Sequence, residues 1–245
     1  MILLWRAMQT ESPYVSVVIP AYNEARRLPS TLHGWREFLD AQAFTWEILV
    51  VDDGCADATA AVAEACGARV VSLVPNQGKG AAVRAGVLAA AGQVIAYADA
   101  DMNVPPAHLH DALRQLERGA DLVAGRRDLS TYAAAEGLVR LIAGGLVQLT
   151  RRAVVMSAIR DTQCGFKVFR RELAGAVFTR TRIKSFAFDI EVLFLARKLG
   201  ARIVEMPVTT TYRSESTFSV RKHLPLFLGD IVQIRLNDLA GRYRA

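Results

Sequence analysis

The sequence predicts an α/β fold, a mostly parallel β-sheet with helices on both faces, and three observations predict it. Short apolar, β-branched runs alternate with longer stretches rich in Ala, Leu, Arg and Glu, which is the strand–helix alternation of parallel sheets. The runs are apolar throughout, as strands are when both faces of their sheet are covered. A chain of 245 residues, 52% hydrophobic and 22% charged, supplies the core of one α/β domain.

The first strand is expected at 14–20 (YVSVVIP), with a helix over 24–40 behind it. WEILVVD at 46–52 is the second, followed by a helix over 57–66. A third strand at 69–73 precedes an Ala-rich helix at 80–91. QVIAYAD at 93–99 is the fourth, a helix at 105–118 follows, and 121–124 is the fifth strand. Further on, Leu138, Leu141, Ile142, Leu146 and Leu149 keep helical spacing, as do Leu224, Phe227, Leu228 and Ile231, so C-terminal amphipathic helices are expected. The whole chain, 1–245, is expected to form a single domain.

A net charge of +6 and a sequence pI near 9.5 favour an anionic partner. No five-residue Lys/Arg run or base-stacking motif is present, so nucleic acid is not expected. The three cysteines, Cys55, Cys66 and Cys164, form no C-x-x-C pair, which speaks for a reducing compartment and against structural zinc. The opening MILLWRAM is short for a signal peptide, and no run reaches about eighteen apolar residues, so the chain is not expected to cross a membrane by itself.

In open parallel sheets ligands bind beyond the carboxyl ends of the strands. The first strand runs into Pro20-Ala21-Tyr22-Asn23-Glu24, the second into Asp52-Asp53-Gly54, and the fourth into Asp99-Ala100-Asp101. Helix capping accounts for one acid or amide per loop, such as Asp57 or Asn23, and not for five acids at three strand ends. Neighbouring carboxylates repel unless a cation sits among them, and hard oxygen donors suit Mg²⁺ or Mn²⁺. Asp99, Asp101 and Asn103 share a period of two, so two carboxylates and an amide oxygen can face one way toward a metal-bound diphosphate.

The second candidate is NQGKGAAVRAG at 76–86. Glycines at a helix start expose backbone N–H groups, and Lys79 adds a positive charge, as an anion site requires. The plain alternative, strongest for Gly86, is a glycine packed tightly in an Ala-rich helix. Neither G-x-x-x-x-G-K-[ST] nor G-x-G-x-x-G is present, which disfavours a kinase or a dehydrogenase.

Taken in order, VSVVIPAYNEARRL, VVDDGCADAT, NQGKGAAVRAG and YADADMNVPP resemble the nucleotide-sugar-binding half of the family 2 inverting glycosyltransferases, whose fold is GT-A. RDTQCGFK at 160–167, FAFDIEVL at 186–193 and EMPVTTTYR at 205–213 resemble the polyprenyl-phosphate branch, nearer the dolichyl-phosphate glucosyltransferase type than the mannose synthase type. The resemblance implies a GT-A domain with a nucleotide-sugar half at about 14–128 and an acceptor-side, membrane-facing half at about 129–245. It also implies that Pro20, Tyr22, Glu24 and Asp53, with Asp52 beside them, surround the base and ribose of a UDP- or GDP-linked hexose. Asp99 and Asp101 would serve the Mg²⁺ or Mn²⁺ and the diphosphate, with Asn103 as the amide ligand, and Lys79 is counted with the nucleotide-sugar-binding residues. Two departures stand out: Cys55 replaces the usual serine after DDG, and YRSEST at 212–217 replaces the usual glycine-serine-lysine.

The implied reaction is metal-dependent inverting transfer of a hexose to polyprenyl phosphate. A phosphate acceptor is already anionic and needs no general base, whereas a hydroxyl acceptor does. Arginines are therefore expected at the acceptor phosphate, because guanidinium binds phosphate in two-pronged fashion. Arg126 leads, with Arg127 its neighbour, then Arg140 and Arg213, with Ser216 nearby. Asp189 is the catalytic candidate alongside Asp101 and Arg126; Asp189 and Asp161 either position substrate or, with a hydroxyl acceptor, Asp189 serves as base. Two rivals remain, a soluble family 2 transferase acting on a carbohydrate or small-molecule hydroxyl with Asp189 as base, and a non-catalytic nucleotide-sugar-binding protein. A lipid acceptor implies a cytoplasmic protein peripheral on the inner face of a membrane, held by the two leucine stripes with Arg140, Arg151, Arg152, Arg221 and Lys222 around them.

Overall fold

The computed structural model describes residues 12–128, 159–210 and 220–244, with side chains of the last stretch from 226 onward. Arg140, Arg213, Ser216, the 138–149 stripe, Arg151, Arg152 and the side chains of Arg221, Lys222 and Leu224 lie outside the described residues.

Seven strands form one sheet in the order β3-β2-β1-β4-β6-β5-β7. They are β1 (Val15–Ala21), β2 (Trp46–Asp52), β3 (Arg69–Ser72), β4 (Val94–Ala98), β5 (Leu122–Arg127), β6 (Phe166–Arg170) and β7 (Ile203–Val208). The helices are α1 (Leu28–Asp40), α2 (Thr59–Ala65), α3 (Lys79–Ala89), α4 (His108–Glu117), α5 (Arg171–Phe178), α6 (Phe188–Lys198) and α7 (Val220–Leu239). All neighbours pair in parallel except β6, which is antiparallel to both β4 and β5. This is the mixed, mostly parallel α/β sheet expected, with a reversed strand near its centre.

Side-chain alternation divides the interior in two. Val15, Val17 and Ile19 of β1 face a core with Leu28, Leu32 and Trp35 of α1 and Leu109 of α4. Val18 faces the opposite core, with Ala82 and Val83 of α3, Phe178 of α5 and Phe188 of α6. A fully buried aliphatic or aromatic side chain contributes roughly 1.5–3 kcal/mol, so both faces must be covered for the sheet to persist. At Gly86 a Cβ would lie 2.4 Å from Val18 and 2.6 Å from Val51, so this glycine serves close helix–sheet packing.

The first helix starts four residues later than the sequence suggests. Glu24 instead closes a turn by accepting the Arg27 and Leu28 N–H groups, and Pro29 suits the first helical turn. The C-terminal stripe also needs correction. Phe227 and Ile231 are 8% and 1% exposed and pack into the α3–α6 core, because α7 turns that face onto α6. Its outward apolar side chains are Leu226, Val232, Leu236 and Leu239.

Candidate active site

The strands whose ends carry acids, β2, β1 and β4, are neighbours in the sheet. Their carboxyl ends therefore form one rim. β6, running the other way, brings its amino end to that same rim through the Ala98–Phe166 pairing.

The turn after β4 is tightly specified. Asp101 Oδ1 accepts the Asn103 N–H at 3.0 Å, the Met102 N–H reaches the Asp99 carbonyl at 3.2 Å, and buried Thr31 donates to the Ala100 carbonyl at 2.6 Å. Gly165, just ahead of β6, lies hard against Asp99: a Cβ there would fall 1.9 Å from Oδ2. Lys79 Nζ meets the other oxygen, Oδ1, at 2.6 Å. Burial pushes the Asp101 carboxyl above its ordinary range and the charge of Asp99 adds to this, against relief from the Asn103 N–H, Lys79 and Arg27. Glu24 is likewise pushed up by burial, with Arg27 opposing and Asp101 adding. Burial alone would lower the Lys79 ammonium, but Asp99, Asp189 and Asp101 outweigh it and hold the ammonium above its usual value.

This donor set fits a divalent cation. The two carboxylates and the amide of Asp99, Asp101 and Asn103 are hard oxygen donors on one turn, and burial together with the neighbouring Asp99 makes the charged form of Asp101 costly, which a divalent cation would offset. No group of three or more His, Cys, Asp or Glu side chains clusters as a metal site among the described residues, so two acids, the amide, water and substrate oxygens would complete the coordination.

A cleft beside this turn is lined by Ala98, Asp99, Asn103, Val104, Gly165 and Arg127. Arg127, not Arg126, is the arginine that lines it. Arg126, its neighbour on β5, is directed to the opposite face of the sheet by strand alternation. Arg127 donates to Asp161 from Nε at 2.8 Å and Nη2 at 3.1 Å. Asp161 is held in turn: burial would raise its pKa, but the hydrogen bonds and charge of Arg127 keep it below the ordinary range. Glu205 accepts the Arg160 and Asp161 N–H groups at 2.8 and 2.9 Å, fixing this arm of the site.

Other sequence candidates have different surroundings. Pro20 is buried within β1, and Tyr22, 54% exposed, stands on the rim. Asp52 accepts the Cys55 N–H at 2.9 Å. Asp53 is turned inward and accepts the Gln77 and Gly78 N–H groups at 2.8 Å each and Asn76 Nδ2 at 3.0 Å. Its carboxylate thus shapes the loop that presents Lys79. Asn23 and Asp57 stitch the first two rim loops together through the Ala56 and Ala25 N–H groups, and Cys55 Sγ accepts the Asn23 N–H at 3.1 Å, filling the place of the missing serine.

Asp189 is drawn into the interior. It is 2% exposed, and its Oδ1 accepts from Tyr97 Oη and from Lys167 Nζ, each at 2.5 Å. Lys167 is fully buried in β6 and also donates to the Thr162 and Cys164 carbonyls at 3.2 and 2.9 Å. Sequence reasoning passed over Lys167 and Tyr97. The available signal was a lysine inside the apolar run GFKVFR, since a buried lysine requires a buried partner.

The Glycosyl transferase family 2 sequence model matches residues 16–178. The chain belongs to that family. Its family 2 relatives include the dolichyl-phosphate beta-glucosyltransferases of Dictyostelium discoideum, 33% identical over 94% of this chain and 76% of that protein, and of Homo sapiens, 34% identical over 94% and 77%. The protein of that name from Drosophila melanogaster is 39% identical over 80% of this chain and 67% of its own. Among solved structures, glucosyl-3-phosphoglycerate synthase from Mycobacterium tuberculosis, crystallised with Mn²⁺, UDP and glucosyl-3-phosphoglycerate, superposes with a TM-score of 0.70. That match spans 92% of this chain and 79% of the other at 22% identity, and it establishes the GT-A fold for the family 2 chain.

Proposed function

We propose that this family 2 transferase moves a hexose from a nucleoside-diphosphate sugar, UDP- or GDP-linked, to polyprenyl phosphate with Mg²⁺ or Mn²⁺ bound at Asp99, Asp101 and Asn103. The names of the relatives favour glucose and dolichyl phosphate. The observation that carries the choice of a phosphate acceptor is the burial of Asp189. Paired with Lys167 and Tyr97, it is a positioning group and not a base reaching for an acceptor hydroxyl.

A phosphate oxygen of the lipid attacks the anomeric carbon, the bond from that carbon to the donor diphosphate breaks, and configuration inverts in this single displacement. The metal, when bound, offsets the charge of the leaving diphosphate. Lys79, which begins α3 and reaches Asp99, is assigned to the diphosphate oxygens, and Arg127, held by Asp161 beside the small cleft at Asp99, to the acceptor phosphate. Asp52, Tyr22 and Glu24 at the ends of β2 and β1 are assigned to the nucleoside in this reading, with Asp53 and Pro20 supporting them from within.

No helix among the described residues is long and apolar enough to cross a membrane. Contact with the lipid surface is assigned to the outward stripe Leu226, Val232, Leu236 and Leu239 of α7, flanked by exposed Arg235, Arg242 and Arg244, on the cytoplasmic face. The reading is tested with a panel of nucleotide sugars and polyprenyl phosphate, with and without EDTA, followed by mass spectrometry. A hexosyl phospholipid that disappears with EDTA supports it, and metal-independent transfer contradicts the site.

A further inference from the structure

Lys79 is placed with unusual care for a residue that is 20% exposed at its side chain. Gly78, ahead of it, has φ +96° and gives its N–H to Asp53 at 2.8 Å; a Cβ there would lie 2.6 Å from the Lys184 carbonyl. Gly80, after it, donates to that same carbonyl at 2.8 Å. The backbone is therefore pinned on both sides of the lysine. Its ammonium then passes the Phe186 ring, 5.8 Å from the centroid, to end on Asp99 Oδ1. A cation thus already occupies one oxygen of the carboxylate that the proposed metal needs.

We propose that Lys79 is a place-holding cation for Asp99: it must leave that carboxylate for the metal to bind, and the donor diphosphate then takes it over. The inference rests on the metal reading given above. It makes metal and nucleotide binding cooperative through one side chain. Without nucleotide, metal and ammonium compete for Asp99, and displacing the ammonium leaves it partly buried with no new partner. With a diphosphate present, the displaced ammonium gains phosphate oxygens, so the same lysine now favours the metal-bound state. By linkage, the factor by which nucleotide strengthens metal binding is the factor by which metal strengthens nucleotide binding.

The consequence is a reversal of sign that a structural role does not produce. In Lys79→Met, Mn²⁺ measured alone, by the loss of the free-ion paramagnetic resonance signal, should bind up to about fivefold more tightly, the worth of a partly exposed ion pair. Measured with saturating UDP, the variant should bind Mn²⁺ about tenfold more weakly, because a charge-assisted contact to the diphosphate is gone. In an Asp99→Asn background the tightening should vanish. Lys79→Gln serves as a second variant, and unfolding temperatures of both confirm intact folding.

Changes of the same sign with and without UDP overturn the place-holding role while leaving the metal site standing. Failure of the unaltered protein to bind Mn²⁺ even with UDP removes the metal reading, and this inference with it. Opposite signs in both variants, abolished by Asp99→Asn, support it.

Discussion

Replacing Gly165 by alanine should separate folding from function. The new Cβ would stand 1.9 Å from Asp99 Oδ2, where ordinary contact begins at 3.4 Å, so the carboxylate must retreat by the difference, about 1.5 Å. What gives way is the end of a side chain at the rim, 33% exposed, so the backbone of β6 need not move and the cost in stability should stay below about 1 kcal/mol. The site has less latitude. A misplacement of about 1 Å can cost on the order of 100-fold in rate, equivalent to roughly 2.7 kcal/mol of transition-state stabilisation. Thermal unfolding, Mn²⁺ binding in the presence of UDP, and kcat/KM for hexosyl transfer measure the three quantities on one sample. The expected result is a nearly unchanged Tm, weakened metal binding and a loss of about two orders of magnitude in kcat/KM. Full transfer with unchanged metal affinity would show that Asp99 does not work from the position described.

Lys167→Met should lower the Tm by roughly 10 °C, because removing one partner of a buried pair costs about 3–5 kcal/mol and each kcal/mol shifts a chain of this size by about 2–4 °C; a shift of only a degree or two would deny Asp189 its buried anchoring role. Asp101→Asn should abolish transfer and yet be at least as stable as the parent at pH 7. The folded-state pKa of Asp101 is raised, so its stabilising contribution is present below the ordinary carboxylate range and is lost as pH rises through the folded-state value. The stability advantage of the variant should therefore close in acid, and a Tm deficit at pH 7 would contradict the cost assigned to burying the Asp101 charge, to which Asp99 adds. In flotation with anionic liposomes, Val232→Glu with Leu236→Glu should leave the protein in the soluble fraction while the parent floats; unchanged flotation would move the membrane contact elsewhere.

Strands with unbroken apolar runs were legible in the sequence, and so was the rim at which β1, β2 and β4 end. What stayed hidden concerns direction. Asp53 and Asp189 have the right residue type beside the right motifs, but whether a carboxylate faces substrate or neighbouring N–H and ammonium groups depends on loops distant in sequence. Arg126 and Arg127 differ by one step along a strand, which exchanges the faces of the sheet. β6 escaped notice as a strand because Lys167 interrupts its apolar pattern, and its insertion between β4 and β5 brings together segments far apart in the chain. On α7 two apolar stripes share one helix, and only packing on α6 reveals which of them is buried.

The account depends most on the acceptor being a phosphate that needs no base. Hexose transfer to polyprenyl phosphate, measured beside the same polyprenol lacking the phosphate, tests this directly. The account predicts product from the phosphate alone. Comparable transfer to the alcohol would contradict it.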